Sequence, residues 1–162
     1  MMKVYYEKGD TIIRNSMQED VEFLNTKLRQ SDVDEVWASH HHTPEEALKI
    51  SITNALLCIT AIKNGIPICI FGIHPDSILG NKATIWFLAT DELKKHSKQF
   101  LRLSKGFISY FLEYYPLLYN FVDDRNRQSI CWLKWCGANM NGAVTYGIEK
   151  MPFHYFEFRR QQ

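Results

Sequence analysis

The side chains best equipped for chemistry lie between Asp91 and Cys136, in the runs DELKKHSKQFLRLSK and LYNFVDDRNRQSICWLKWCGA. In the first, Lys94, Lys95, Lys98 and Arg102 together with Ser97 can hold phosphate groups by side-chain charge, aided by a helix dipole. The plainer reading is a solvated basic helix face. In the second, Asp123, Asp124 and Asn126 offer oxygens that suit a helix N-cap, and Asp123 with Asp124 could also pair as acid and base. Capping is the simpler role. Trp132 and Trp135, three apart on a helix, can anchor a protein partner, although core packing is the commoner fate of such residues.

Elsewhere the reactive residue types are scattered. His40, His41 and His42 look like a metal tract, but three consecutive residues converge poorly on one ion without further ligands, so a polar loop and no metal site are expected. Cys58, Cys69, Cys131 and Cys136 form no CxxC pair, and packing is their default role. Cys131 lacks a neighbour in sequence that would clearly lower its pKa, which argues for a core cysteine over a nucleophile.

These residues must be positioned by the elements around them. Lys3 to Tyr6 and Thr11 to Arg14 read as short strands about a turn at Gly9 and Asp10. Ser16 with Glu19 forms an S-x-x-E capping box ahead of Val21, Phe23, Leu24 and Leu28, and a second helix is expected over Asp32 to Ser39. A third begins at Thr43 with Pro44 at its first position and Glu45 and Glu46 in its first turn. Asn64-Gly65, between ITAIK and IPICIFGI, predicts a hairpin. Thr84 to Ala89 is apolar enough for a central strand covered on both faces.

A turn of helix then leads to Ser97, a second cap, and to a long helix ending at Tyr115 before Pro116. Its apolar side carries Phe100, Leu103, Phe107, Phe111 and Tyr114, with Lys98, Arg102 and Lys105 roughly opposite. Leu118 to Val122 is a strand, and Ile130, Leu133 and Gly137 mark a helix and its stop. Ala143 to Ile148 and His154 to Arg159 supply two final strands.

Composition narrows the partners. A chain of 162 residues with 46% hydrophobic content fits one globular domain, here residues 1–162. A formal net charge of +1 favours neither nucleic acid nor an anionic membrane, so partner choice falls to local patches. The aromatics fall mostly at buried spacings, which argues against base stacking. The longest apolar run, Ile66 to Ile73, is too short to span a bilayer and no secretory leader is evident, so a soluble, cytoplasmic protein without membrane contact is expected.

Within the second run, Val122, Asn126 and Gly137, with Ser129 at a small-residue position between them, resemble the last strand and helix motif of the GNAT superfamily of acetyl-coenzyme A dependent N-acyltransferases. The words LRQSDVDEVW, HTPEEAL, IPICIFGIHPDSILG, IWFLATDELKKH and FHYFEFRR extend the resemblance over most of the chain, to a phage family of GNAT-like proteins that includes the internal virion protein A of short-tailed phages. The resemblance implies an α+β fold: a mostly antiparallel, twisted sheet flanked by helices and splayed between its fourth and fifth strands. It also implies a bacterial host cytoplasm, or association with the virion, as the place of action.

For the site, the resemblance implies acetyl-CoA as cofactor. The strand ending Leu88, Ala89 and Thr90 stands where the coenzyme strand falls in the superfamily, and Asn126 matches the motif's polar contact. Two departures follow from the same comparison. The glycine loop Q/R-x-x-G-x-G/A, which cradles the pyrophosphate, is replaced here by a stretch without glycine before Gly106, leaving Lys98 and Arg102 as candidate phosphate ligands. The tyrosine that protonates the departing thiolate is replaced by Leu133. His74, Asp76 and Glu92 are the titratable groups nearest the inferred central strands, and none is singled out as catalytic. Two functions remain: an N-acyltransferase with an altered phosphate loop acting on a host or phage amine, or a non-catalytic binding protein of the virion or of host takeover.

Overall fold

The computed structural model describes residues 1–162. The chain opens with a hairpin of β1 (Val4–Lys8) and β2 (Thr11–Asn15), followed by α1 (Gln18–Leu24), α2 (Gln30–His40) and α3 (Pro44–Asn54). β3 (Leu57–Lys63), β4 (Ile66–Pro75) and β5 (Lys82–Ala89) form a meander, and a 3₁₀ segment over Asp91–His96 leads into α4 (Ser97–Tyr114). β6 (Leu117–Asp123), α5 (Arg127–Trp135), β7 (Asn139–Tyr146) and β8 (Met151–Arg159) complete the chain. All eight strands join one sheet in the order β1-β2-β3-β4-β5-β6-β8-β7. Every neighbouring pair is antiparallel except β5 with β6.

Local chemistry accounts for most of these boundaries. Asn64 and Gly65 both take positive φ, 51° and 75°, as the tight turn between β3 and β4 demands. Thr43 caps α3 by accepting from the Glu46 N–H, and Glu46 returns the bond to the Thr43 N–H. At α1 the expected Ser16–Glu19 box is displaced by one residue. Met17 is the N-cap, and its N–H donates to Asp20 Oδ2 at 2.7 Å. The shift has a tertiary cause: Arg14 grips the Asp20 carboxylate, and the Ser16 hydroxyl is already bonded to Thr60 on β3.

The last two strands also differ from expectation, running over 139–146 and 151–159 with Ile148 in the turn between them. Gly147 turns with φ of 78° and Lys150 with φ of 51°. A Cβ on Gly147 would meet the Ala38 carbonyl oxygen at 2.6 Å, so only glycine lets this hairpin lie against the end of α2. There the Ile148 and Glu149 N–H groups donate to the Ser39 and Ala38 carbonyls, completing the helix terminus.

The strand alternation sends apolar residues to both faces of the sheet. Phe71, Ile73, Leu118, Val122, Phe156 and Phe158 pack with Ile108 and Phe111 of α4 and with Ile130 and Leu133 of α5. On the opposite face Ile70 and Leu88 pack with Val21, Leu24 and Leu48 of α1 and α3. β5 is therefore covered on both sides, as its composition predicts. Each fully buried residue of this kind is worth about 1.5–3 kcal/mol of transfer free energy.

The parallel pair is incomplete. β5 and β6 pair only at Lys82↔Leu117, Ala83↔Leu118 and Thr84↔Tyr119, beyond which Ile85–Ala89 and Asn120–Asp123 diverge without pairing. Counted along the chain the splayed strands are the fifth and sixth, because the amino-terminal hairpin places one more strand ahead of them.

Candidate functional site

A split sheet exposes two rows of backbone groups that must find partners. In the β4–β5 ladder the Thr90 N–H donates to Ile68 O, which fixes the even-numbered residues of β5 as those bonded to β4. Ile85, Phe87 and Ala89 thus turn their N–H and C=O groups toward the split. Two of the three are already engaged there. The Ala89 N–H donates to Asp32 Oδ2 at 2.8 Å, its carbonyl accepts from the Arg29 N–H at 2.8 Å, and Ile85 O accepts from Asn120 Nδ2 at 2.8 Å.

The β6 edge is treated the same way. The Arg160 N–H donates to Pro116 O, so Phe121 and Asp123 are the residues facing the split. The Phe121 N–H donates to Asn120 Oδ1 at 2.7 Å, and the Asp123 N–H donates to Glu35 Oε2 at 3.3 Å. One helix thereby serves both edges. Asp32 and Glu35, three apart on α2, face the same way along its surface, one carboxyl reaching β5 and the other β6.

Side chains hold this wedge in place. Asp32 takes Arg29 Nε at 2.9 Å, and Arg29 Nη2 donates to Ser129 Oγ at 3.1 Å while the guanidinium lies 5.6 Å from the centre of the Phe87 ring. Asn126 caps α5 by accepting from the Ser129 N–H at 3.3 Å and donates from Nδ2 to Glu35 Oε2 at 3.0 Å. Burial pushes the Glu35 carboxyl up to about 8, and the nearby Asp32 and Asp123 add to the rise against the Asn126 and Asp123 N–H bonds. Burial also raises Asp32, opposed by the Arg29 charge.

Two openings flank the split. Beside α2 and α3 a cavity of about 550 Å³ is lined by Glu35, Ser51, Asn54, His74, Trp86 and Tyr146 among others, and it extends through the split toward Phe100 and Trp132. The buried Trp86 Nε1 has no hydrogen-bond partner. Beside α4 and α5 a pocket of about 330 Å³ is lined by Arg29, Phe87, Leu101, Cys131, Trp132 and Trp135. Between the two, Phe87, Phe100 and Trp132 form a cluster with ring centres 5.1 to 5.5 Å apart, and Trp132 Nε1 donates to Ser104 Oγ at 3.1 Å.

The residues singled out from sequence occupy different parts of this region. Leu88 packs toward α1 and α3, Ala89 is fully buried with both backbone groups spent, and Thr90 is buried with its N–H and hydroxyl on Ile68 O. Lys98 and Arg102 are exposed on α4, form no ion pair and line neither opening, whereas Asn126 sits in the wall of the larger one. The loop between β5 and α4 is wound into the 3₁₀ segment, in which Lys94 pairs with Asp91 and Lys95 with Glu92. Leu133 is core.

The remaining candidates are dispersed. His74 lines the larger cavity, while Asp76 accepts from the Tyr119 hydroxyl and pairs with Lys82. His41 pairs with Glu149 and stacks on Trp37, and no group of three His, Cys, Asp or Glu side chains is arranged to hold a metal. Asp123 binds the Arg125 N–H and guanidinium, and Asp124 binds His154. Cys69 is a buried thiol pushed up to about 12, but Cys131, expected in the core, is exposed because α5 turns it toward the smaller pocket. Arg29, Asp32, Glu35 and Asn120, which close the split, were not recognised from sequence. The i, i+3 spacing of Asp32 and Glu35 on one face of α2, with Arg29 just ahead of the helix, was the available signal.

The architecture is shared by solved acetyltransferases. Ard1 from Thermoplasma volcanium superposes with a TM-score of 0.72 at 16% identity, covering 95% of this chain and 100% of its own. A GNAT-family acetyltransferase from Bacillus anthracis gives 0.70 at 13% identity, covering 94% and 96%. The spermidine N-acetyltransferase from Vibrio cholerae, solved in complex with CoA and spermine, gives 0.66 at 12% identity with the same coverage. At such identities the likeness establishes the fold, and this protein has the GNAT-like α+β scaffold that the sequence resemblance implies. Residues 68–145 match the family described as bacteriophage T7, probable scaffold protein Gp13, and this stretch of the chain is similar to that family. None of the curated proteins matches it. No helix is long and apolar enough to cross a membrane.

Proposed function

We propose that this protein is a non-catalytic GNAT scaffold that acts by binding another protein during phage assembly or within the virion. One observation carries the reading: at the strand edges opened by the split, where the superfamily resemblance puts the coenzyme, Ala89, the Ile85 carbonyl and the Asp123 N–H are bonded from within by Asp32, Arg29, Asn120 and Glu35, leaving Phe87 as the β5 residue facing the split without such a bond. A coenzyme reaching β5 at Ala89 would have to displace a buried carboxylate from both its N–H and Arg29, and leaving either group unpaired costs about 1–3 kcal/mol or more. The 3₁₀ segment in place of a glycine loop, and Leu133 in place of a proton donor, agree with it. The family match, whose description is that of a scaffold protein, also supports it.

The acyltransferase reading retains one specific observation. The larger cavity holds Glu35, whose pKa of about 8 would suit a general base for an amine. Calorimetric titration with acetyl-CoA and with coenzyme A, at low and moderate salt, separates the two. Absence of binding at millimolar coenzyme is the expected result. Micromolar, salt-sensitive binding would overturn the non-catalytic reading and justify a screen of amine acceptors.

A further inference from the structure

We infer that the pocket between α4 and α5 is a docking groove for an acidic segment of a partner protein that inserts one large apolar side chain. The inference rests on the non-catalytic reading above and adds the chemistry of the partner. The groove runs between Ser97 and Leu101 on α4 and Gln128, Cys131 and Trp135 on α5, over a floor of Phe87, Leu93 and Phe100. Its volume of about 330 Å³ leaves room for a large apolar side chain.

Charge identifies the partner. Lys98, Arg102 and Lys105 on α4 and Lys134 on α5 are exposed and make no ion pair, and Lys105 lies 4.2 Å from the centre of the Trp135 ring. The acidic residues of the preceding segment are neutralised locally, Asp91 by Lys94 and Glu92 by Lys95. Because the protein as a whole carries a formal net charge of only +1, this is a local field and not a general affinity for anions. Trp135, with 49% of its surface exposed, is a large aromatic on the groove wall of the kind enriched at interface centres. The recessed apolar floor favours an inserted side chain over a phosphate backbone, for which the cations alone would suffice.

The test is titration of the intact protein with a short synthetic peptide of glutamates flanking one phenylalanine, followed by calorimetry and by tryptophan fluorescence compared with that of Trp135→Phe. Controls carry lysine in place of glutamate, or alanine in place of phenylalanine. Saturable binding of the acidic peptide is expected, at least about tenfold tighter than either control and weakened by added salt. Lys98→Glu combined with Arg102→Glu should weaken it about tenfold, as should Trp135→Ala; all three positions are exposed, so the fold is retained. No binding of the acidic peptide, equal binding by the charge-reversed protein, or equally tight binding of an oligonucleotide of matched charge would each overturn the groove. If coenzyme A competes for the same pocket, the non-catalytic reading falls with it. Failure of the peptide without coenzyme binding removes the groove alone.

Discussion

The two openings beside the split have opposite chemistry. Under α2 the walls present the carboxyls of Asp32 and Glu35, which are bonded to backbone N–H groups and to Arg29 and Asn126. Between α4 and α5 the floor is aromatic, and the flanking helices carry exposed cations without ion-pair partners outside the lining, Lys105 lying over Trp135. The carboxyls of the first form a satisfied network, beside which Trp86 Nε1 alone stands without a partner, and the second is an unsatisfied surface. In a protein interior a polar group without a partner is costly, so the α2 network reads as structure. Exposed charges cost little, so the free lysines and Arg102 are available for a partner.

That contrast can be broken most severely at Asp32. Asp32→Ala leaves the buried Arg29 without its counter-ion and the Ala89 N–H without an acceptor, and should destabilise the fold by about 3–5 kcal/mol in urea unfolding. A loss under about 1 kcal/mol would show that the wedge is not a structural element.

Glu35→Gln sharpens the contrast through pH. The folded carboxyl is raised to about 8, so the stability it contributes is full below its unfolded value near 4.5 and is lost as pH rises through 8. The glutamine variant keeps an acceptor for the Asp123 and Asn126 donors without that loss. The variant should match the wild type near pH 4.5 and exceed it by on the order of 3 kcal/mol at pH 9. Parallel stability profiles for the two proteins would refute the raised pKa.

Asn126→Ala removes an α5 cap and one donor to Glu35, and a cost of about 1–2 kcal/mol is expected from chemical denaturation. At the opposite opening, Lys98→Ala combined with Arg102→Ala should change stability by less than about 0.5 kcal/mol. A larger loss would mean that these cations serve the fold after all.

Much of the scaffold was legible because its causes are local. The Asn64-Gly65 turn, the Thr43–Glu46 cap and the apolar spacing of α4 are each decided within a few residues. The absence of glycine between Asp91 and Gly106 and the presence of Leu133 were equally plain. Where local signals competed, neighbours in space decided. Ser16 looks like the better cap than Met17 until Thr60 takes its hydroxyl, and Ile148 looks like strand until Gly147 turns against α2.

The sequence by itself determined the secondary elements, the GNAT-like order of strands and helices, and the loss of the two signatures on which coenzyme chemistry usually depends. Only the tertiary structure decided what became of the split. The bonds that close it join Asp32 to Ala89, Glu35 to Asp123 and Glu35 to Asn126, separations of 57, 88 and 91 residues. No periodicity or cap rule spans such distances. Whether a carboxyl on α2 meets water, a ligand or a bare strand edge depends on how a helix seats on a sheet, and that seating is fixed by the packing of both faces at once.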